Sequence, residues 1–249
     1  MANVFGVLPV LEALKAGRRI DKLIVAEGAK HSRLRELLDL ARRQRIPVRR
    51  EPRSALDRLS HNSNHQGVVA IAAAAAYADE DRLLASVSQE TIFVLLDGVE
   101  DPHNLGAVIR TAECAGVTAV VIPERRAAQL TEVVGKTSAG ALEHIPVARV
   151  TNLVSFIEDL KRHNVWVVGV ESSGKIGYSD FEYAGPLALV FGGESQGLHR
   201  LVRERCDVIL SIPMRGRVTS LNVSVAAGVV LFEALRQRSK RISSTSSAG

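Results

Sequence analysis

From Thr91 onward the apolar residues gather into short, nearly uninterrupted runs: "TIFVLLD", "TAVVIP", "VWVVGVE", "LALVFGG" and "DVILSIP". The runs are rich in β-branched residues and do not alternate with polar ones. That pattern predicts strands buried on both faces, as in a parallel sheet. Between them the apolar spacing becomes helical, and helices are expected over residues 105–115, 131–141, 152–163 and 220–238. The part before Tyr77 alternates shorter elements. "VLPVLEALKAG" predicts a helix ending at Gly17, "DKLIVAE" a strand, and "SRLRELLDLARRQR" an amphipathic helix with Ser32 as N-cap. "IPVRR" is a short strand, "PRSALDRLS" a short helix and "QGVVAIAAA" a strand. Two α/β domains follow from this reading. A small one covers residues 1–76, a linker 77–90, and a larger one 91–240. The polar, small-residue tail 241–249 is expected to be disordered.

Charge separates the two parts further. The 249 residues carry a formal net charge of +5. Residues 1–76 hold 14 Lys and Arg against 7 Asp and Glu, whereas residues 77–249 hold 18 against 20. The positive surplus therefore lies in the first part, which suggests a polyanion-binding module joined to a near-neutral one. The two cysteines, Cys114 and Cys206, are isolated. They signal neither a zinc site nor a disulfide framework, and they fit a reducing, cytoplasmic setting. No metal is expected. No apolar run approaches the roughly 18 residues of a membrane span, and the first residues do not read as a signal peptide.

Candidate chemistry falls in three stretches, each plain by itself. In "DGVEDPHNLGAVIRTAECAGV", Asn104 reads most simply as a helix N-cap and Arg110 as a solvated helix arginine. "FGGESQGL" follows a strand directly, so Gly192 and Gly193 permit a close backbone approach and Glu194 stands at the strand end. "SIPMRGRVTSLNVSVAAGVVLFEALRQR" ends a strand near Ile212, passes a loop with two arginines, and opens a helix after Ser220, Leu221 and Asn222. That helix is apolar around most of its circumference, so it must be covered on more than one side. A subunit interface or a central position in a monomer would each do so. The polar cluster His61, Asn62, Asn64, His65 and Gln66 reads either as a solvated turn or as a base-contacting group.

Taken together and in this order, "NLGAVIRTAECAG", "FGGESQGL" and "IPMRGRVTSLNVSVAAGVVLFE" resemble the three motifs of the SpoU/TrmH-type RNA 2′-O-ribose methyltransferases of the SPOUT superfamily. The first part, with "VFGVLPVLEAL" and "NHQGVVA", resembles the ribosomal-protein-like substrate-binding domain that precedes the catalytic domain in many members. The resemblance implies an α/β fold whose C-terminal domain is a trefoil-knotted SPOUT domain with a parallel sheet. It implies S-adenosylmethionine as cofactor, held on the backbone at Gly192, Ile212 and Leu221. It implies a homodimer formed through the C-terminal domain. No G-x-G-x-x-G follows the strand "IFVLL", and the resemblance implies why: the cofactor would not lie in a Rossmann crevice. Catalytic roles are implied for Asn104, Arg110, Glu194, Ser220 and Asn222.

Methyl transfer to a ribose 2′-hydroxyl is an in-line displacement in which the hydroxyl loses a proton. Arginine is normally locked in its charged form. Arg110 would act as base only if strongly perturbed, or it would hold the adjacent phosphate while that oxygen takes the proton. Asn104 and Asn222 would orient Arg110 and the ribose, and Glu194 would pair with a cation or with the asparagine. Within the family the resemblance is nearest to enzymes that methylate a guanosine of 23S rRNA. A tRNA methyltransferase, an antibiotic-resistance rRNA methylase, or a non-catalytic RNA-binding assembly factor are the alternatives. The first part carries Phe5 as its one aromatic residue before Tyr77, so phosphate and shape contacts are expected there rather than a stacking platform.

Overall fold

The computed structural model describes residues 2–60, 64–72, 76–194 and 196–246. His61 and Asn62 of the polar cluster lie outside that range. The chain divides into two compact units. The first comprises residues 1–76 together with 129–144, and the second residues 77–128 and 145–249.

In the first unit, strands β1 (Ala2–Phe5), β2 (Ile20–Ala26), β3 (Val48–Glu51) and β4 (Val68–Ala72) form a sheet in the order β1-β4-β2-β3. Strand β1 lacks a readable alternation because it is four residues long. It is recruited by its antiparallel register with β4, Phe5 opposite Val69. Helices α1 (Val7–Lys15) and α2 (Leu34–Arg43) cover one face, packing Leu11, Leu14 and Leu37 against Leu23 and Val25. Helix α3 (Arg53–Leu59) covers the other face through Leu56. Ser32 does not cap α2; the N-cap is Arg33, with no side-chain cap bond.

Of the cluster's described residues, Asn64 is exposed, while His65 and Gln66 make structural hydrogen bonds. His65 is 1% exposed. Its Nε2 lies 2.9 Å from Asp57 Oδ1, and its Nδ1 accepts the Gly67 N–H at 3.0 Å. Gln66 Oε1 accepts the Val7 N–H at 3.1 Å, serving the open start of α1. Both side chains tie the β4 approach to neighbouring elements, His65 from a buried position and Gln66 from an exposed one.

The segment 129–144 follows a strand of the second unit in sequence yet packs with the first. It contains α6 (Glu132–Thr137) and a short 3-10 turn, where a single helix over 131–141 is expected. Polar handles hold it: Glu132 Oε1 accepts the Asn3 N–H at 3.0 Å, His144 Nε2 lies 3.0 Å from Glu12 Oε2, and Arg18 pairs with Glu143.

In the second unit, β5 (Ile92–Asp97), β6 (Ala119–Pro123), β7 (Val147–Val150), β8 (Trp166–Val170), β9 (Ile176–Gly177), β10 (Leu187–Gly192) and β11 (Val208–Ser211) form one sheet. Their order is β7-β6-β5-β10-β8-β11-β9, and every neighbouring pair is parallel. All six residues of β5 are buried, as its unbroken apolar run requires. The short strands β7 and β9 are the two without such a run. Phe93 and Leu95 meet Leu153, Phe156, Ile157 and Leu160 of α7 (Leu153–Arg162) on one face. A six-residue helix, α4 (Glu80–Ala85), falls in the stretch read as linker, with Asp79 accepting the Arg82 N–H as its cap.

Helix α5 (Pro102–Cys114) buries Leu105, Val108, Ile109 and Ala112 completely, and it packs along α9 (Val223–Ser246). Asn104 is not the N-cap of α5. That role belongs to Asp101, whose Oδ1 accepts the His103 N–H at 2.8 Å, and Pro102 opens the helix. Helix α9 starts later and runs further than the 220–238 expected, reaching into the tail as far as Ser246. No glycine or proline occurs between Val229 and Ser246 to stop it. Among the described residues no helix is long and apolar enough to cross a membrane.

His65→Ala should strand the Gly67 N–H and lower unfolding free energy by about 1–3 kcal/mol. Urea denaturation of the full chain is the measurement. A stable variant with weakened RNA binding would instead make His65 a contact residue.

Candidate active site

Strand β5 has β6 on one side and β10 on the other. The chain beyond β5 leaves toward β6, whereas the chain beyond β10 turns away, so a crevice opens at the carboxyl ends of these strands. Open parallel sheets place ligands there. The crevice is lined by main chain at very short range. A Cβ on Gly192 would lie 2.1 Å from the Gly197 carbonyl carbon, and one on Gly193 would lie 2.2 Å from the Gly98 oxygen. Only glycine fits at either position.

A cavity of about 450 Å³ opens on the far side of the Gly192–Gly193 segment. The ends of β8 and β10, the loop after β11 and the first turn of α9 line it. Gly192, Ile212 and Leu221 all face it, as do Glu194 and Ser220. The three positions expected to offer backbone, at the end of β10 and in the loop between β11 and α9, therefore meet at one cavity.

Beside it lies a closed polar triangle. Asn222 Nδ2 donates to Asn104 Oδ1 at 2.9 Å and to Glu194 Oε1 at 2.6 Å. Asn104 Nδ2 donates to the same Glu194 oxygen at 2.9 Å. Asn222 Oδ1 accepts the Ser224 N–H at 2.9 Å, so the amide also serves the opening of α9. Asn104 is buried, whereas Glu194 and Asn222 are exposed. Three residues from α5, the β10 loop and the α9 start are thus locked together, with one Glu194 oxygen uncommitted to either amide.

Arg110 lies apart from this cluster. It is exposed, it does not line the cavity, and it has no hydrogen bond or ion pair among the described residues. Six residues along an α-helix carry it about 120° around the axis from Asn104.

Two groups were not singled out by their sequence context. Glu171, at the end of β8, lines the cavity and accepts from Arg203 Nε at 2.9 Å and from Ser173 Oγ at 2.5 Å. Asp97, the last residue of β5, is 6% exposed and clamps His199. Its two oxygens meet the His199 N–H at 2.7 Å and Nδ1 at 2.9 Å. Position at a parallel strand's carboxyl end was the available signal for both. Burial pushes the Cys206 thiol up to about 12, so it stays protonated at neutral pH and is no nucleophile. No group of metal-ligating side chains occurs among the described residues.

Comparison with known proteins agrees with this architecture. Residues 91–232 match the SpoU rRNA Methylase family, and residues 3–78 match the RNA 2′-O ribose methyltransferase substrate-binding domain. YacO of Bacillus subtilis, named for the TrmH family of tRNA/rRNA methyltransferases, is 44% identical over 238 residues, covering 94% of this chain and 95% of its own. The AdoMet-bound rRNA methyltransferase of Sinorhizobium meliloti superposes with a TM-score of 0.80 at 27% identity, covering 94% of this chain and 87% of that one. The A. aeolicus TrmH/SpoU tRNA modifying enzyme matches 65% of this chain and 83% of its own, with a TM-score of 0.56 and 30% identity. The chain belongs to the SpoU family of RNA 2′-O-ribose methyltransferases, with an N-terminal substrate-binding domain ahead of the methylase domain.

Asn222→Ala removes the donor to Asn104 and Glu194 and the acceptor at the α9 start. It should cost about 1–3 kcal/mol of stability, read by thermal or urea unfolding. Double-mutant cycles with Asn104→Ala should show coupling of roughly 0.5 kcal/mol or more if the triangle acts as a unit.

Proposed function

We propose that this enzyme transfers the methyl group of S-adenosylmethionine to the ribose 2′-hydroxyl of a guanosine in 23S rRNA. The observation that carries the reading is the convergence of Gly192, Ile212 and Leu221 on one cavity with the Asn104–Glu194–Asn222 triangle at its side. Two glycines that admit no Cβ, Gly192 and Gly193, border the cavity, which suits a cofactor held by backbone groups. Matches across both domains favour rRNA over tRNA, because the rRNA methyltransferase covers 94% of the chain and the tRNA enzyme 65%.

The cofactor supplies a methyl group already activated on a sulfonium. This chain's residues then have to position and deprotonate. Gly192, Ile212 and Leu221 offer backbone to the cofactor. Asn104, Asn222, Glu194 and Ser220 fix the ribose, so that the C–O bond forms as the C–S bond breaks. Arg110 engages the RNA phosphate next to the target ribose, and the hydroxyl proton leaves to that phosphate oxygen. An exposed, unpaired guanidinium is suited to a bidentate phosphate contact.

The basic first domain reads the RNA through phosphate contacts and shape, and the protein works in the cytoplasm. It functions as a homodimer through α9. Val225, Val229 and Phe232 lie on one face of that helix at spacings of four and three, and Val225 and Phe232 are 51% and 48% exposed. A second copy would cover the stripe.

Arg110→Ala should fold and bind S-adenosylmethionine normally while single-turnover methylation falls by at least about a hundredfold. Arg110→Lys should not restore it fully, because a point charge cannot replace a planar fork. Near-wild-type turnover would return Arg110 to a solvated surface residue. Mass-spectrometric mapping of ribose methylation in rRNA and tRNA from a deletion strain tests the target; loss of a tRNA mark with intact 23S rRNA would overturn it. Phe232→Asp should give monomers in analytical ultracentrifugation at micromolar concentration, and a monomeric wild type would sink the dimer.

A further inference from the structure

A second, smaller cavity of about 190 Å³ lies at the same sheet edge, at the ends of β5, β6 and β7. Asp97, Gly98, Arg125, Arg126, Asn152 and His199 help to line it. It adjoins the first cavity, since Gly98 lines one and Gly193 the other, and their backbones are in contact. We infer that it cradles a phosphodiester of the substrate RNA strand flanking the target nucleotide, bound by Arg125 and Arg126 beside the side chains of His199 and Asn152.

The chemistry of the lining is cationic and donor-rich. Arg125 and Arg126 are exposed and have no ion pair or hydrogen bond among the described residues. This is notable in a part of the chain where acids outnumber bases and other surface arginines, such as Arg200 and Arg205, are paired with Glu204 and Glu158. His199 is oriented by Asp97 through Nδ1 and its own N–H, which leaves Nε2 as its uncommitted ring nitrogen. Asn152 spends its Oδ1 on the Val154 and Ser155 N–H groups at the start of α7, leaving its amide N–H groups as donors.

The backbone gives an independent sign. Arg126 holds φ at 56°, a left-handed conformation that a long L side chain adopts only at a cost. Strain of this kind, at an exposed residue beside a crevice, is retained where it aims a side chain at a ligand.

The inference rests on the chain's use of RNA, and its test separates it from the choice of target. Arg125→Ala/Arg126→Ala, Arg126→Gly and the control Arg205→Ala are made in the full chain. Binding to a 23S rRNA fragment and to bulk tRNA is followed by fluorescence anisotropy from low to physiological salt. Cofactor affinity is measured by calorimetry. The double variant should bind both RNAs on the order of tenfold more weakly at physiological salt. Its slope of log affinity against log salt should be shallower by roughly 0.7 to 0.9, the value for one phosphate no longer neutralised. Cofactor affinity should not change. Arg126→Gly should keep or raise the melting temperature while losing RNA affinity, since glycine relieves the backbone and removes the guanidinium. An unchanged slope on both RNAs overturns the cradle, and so does an equal loss in Arg205→Ala. If the wild type leaves the 23S fragment unmethylated while the slope still falls in the double variant, the cradle stands and the 23S guanosine target fails.

Discussion

At the carboxyl edge of the parallel sheet, the backbone around Gly192 and Gly193 passes Gly98 and Gly197 so closely that a single Cβ would overlap the neighbouring main chain. The rest of the site depends on that contact. Gly192 and Gly193 also line the larger cavity, and Glu194 is the residue immediately after the close approach. Asn104 and Asn222 reach Glu194 because α5 and α9 pack along one another and the β10 loop is held between the strand ends.

The Asp97–His199 clamp belongs to the same arrangement. A buried carboxylate at the end of β5 accepts both a backbone and a ring N–H from the residue that opens helix α8 (Arg200–Arg205). The loop 193–198 is therefore fixed at both ends, by the sheet before it and by Asp97 after it. A site that transfers a methyl group along a line needs such fixed edges, since misplacement of about 1 Å can cost roughly a hundredfold in rate.

Charge is distributed to suit a polyanionic substrate. The first domain carries a surplus of seven positive charges, which favours association with RNA of any sequence and makes it salt-dependent. The methylase domain has no such surplus. It instead holds individual unpaired arginines, Arg110 on α5 and Arg125 and Arg126 after β6. In the reading proposed above, long-range attraction in one domain and local placement in the other would divide the work of capturing and aligning a strand.

Much was legible before any coordinates. The five long apolar runs became β5, β6, β8, β10 and β11, because burial on both faces leaves an unbroken hydrophobic signature. The apolar faces of α1, α5 and α7 were readable for the same kind of reason, and the residues named from the three motifs include Asn104, Glu194 and Asn222, which hydrogen-bond to one another in the structure. What escaped were elements stabilised by partners instead of by their own pattern. β1 and β7 are four residues each, and β9 two; they exist through registers with distant strands. His65 and Gln66 looked like a solvated turn because nothing local shows that Asp57, Gly67 and the start of α1 need them. Asn104 looked like a cap because its true partners lie 90 and 118 residues away. The packing of 129–144 with the first unit follows from Asn3, Glu12 and Arg18, more than a hundred residues upstream. Periodicity records what a segment buries, whereas a hydrogen bond or a close backbone approach depends on what the rest of the chain brings to it.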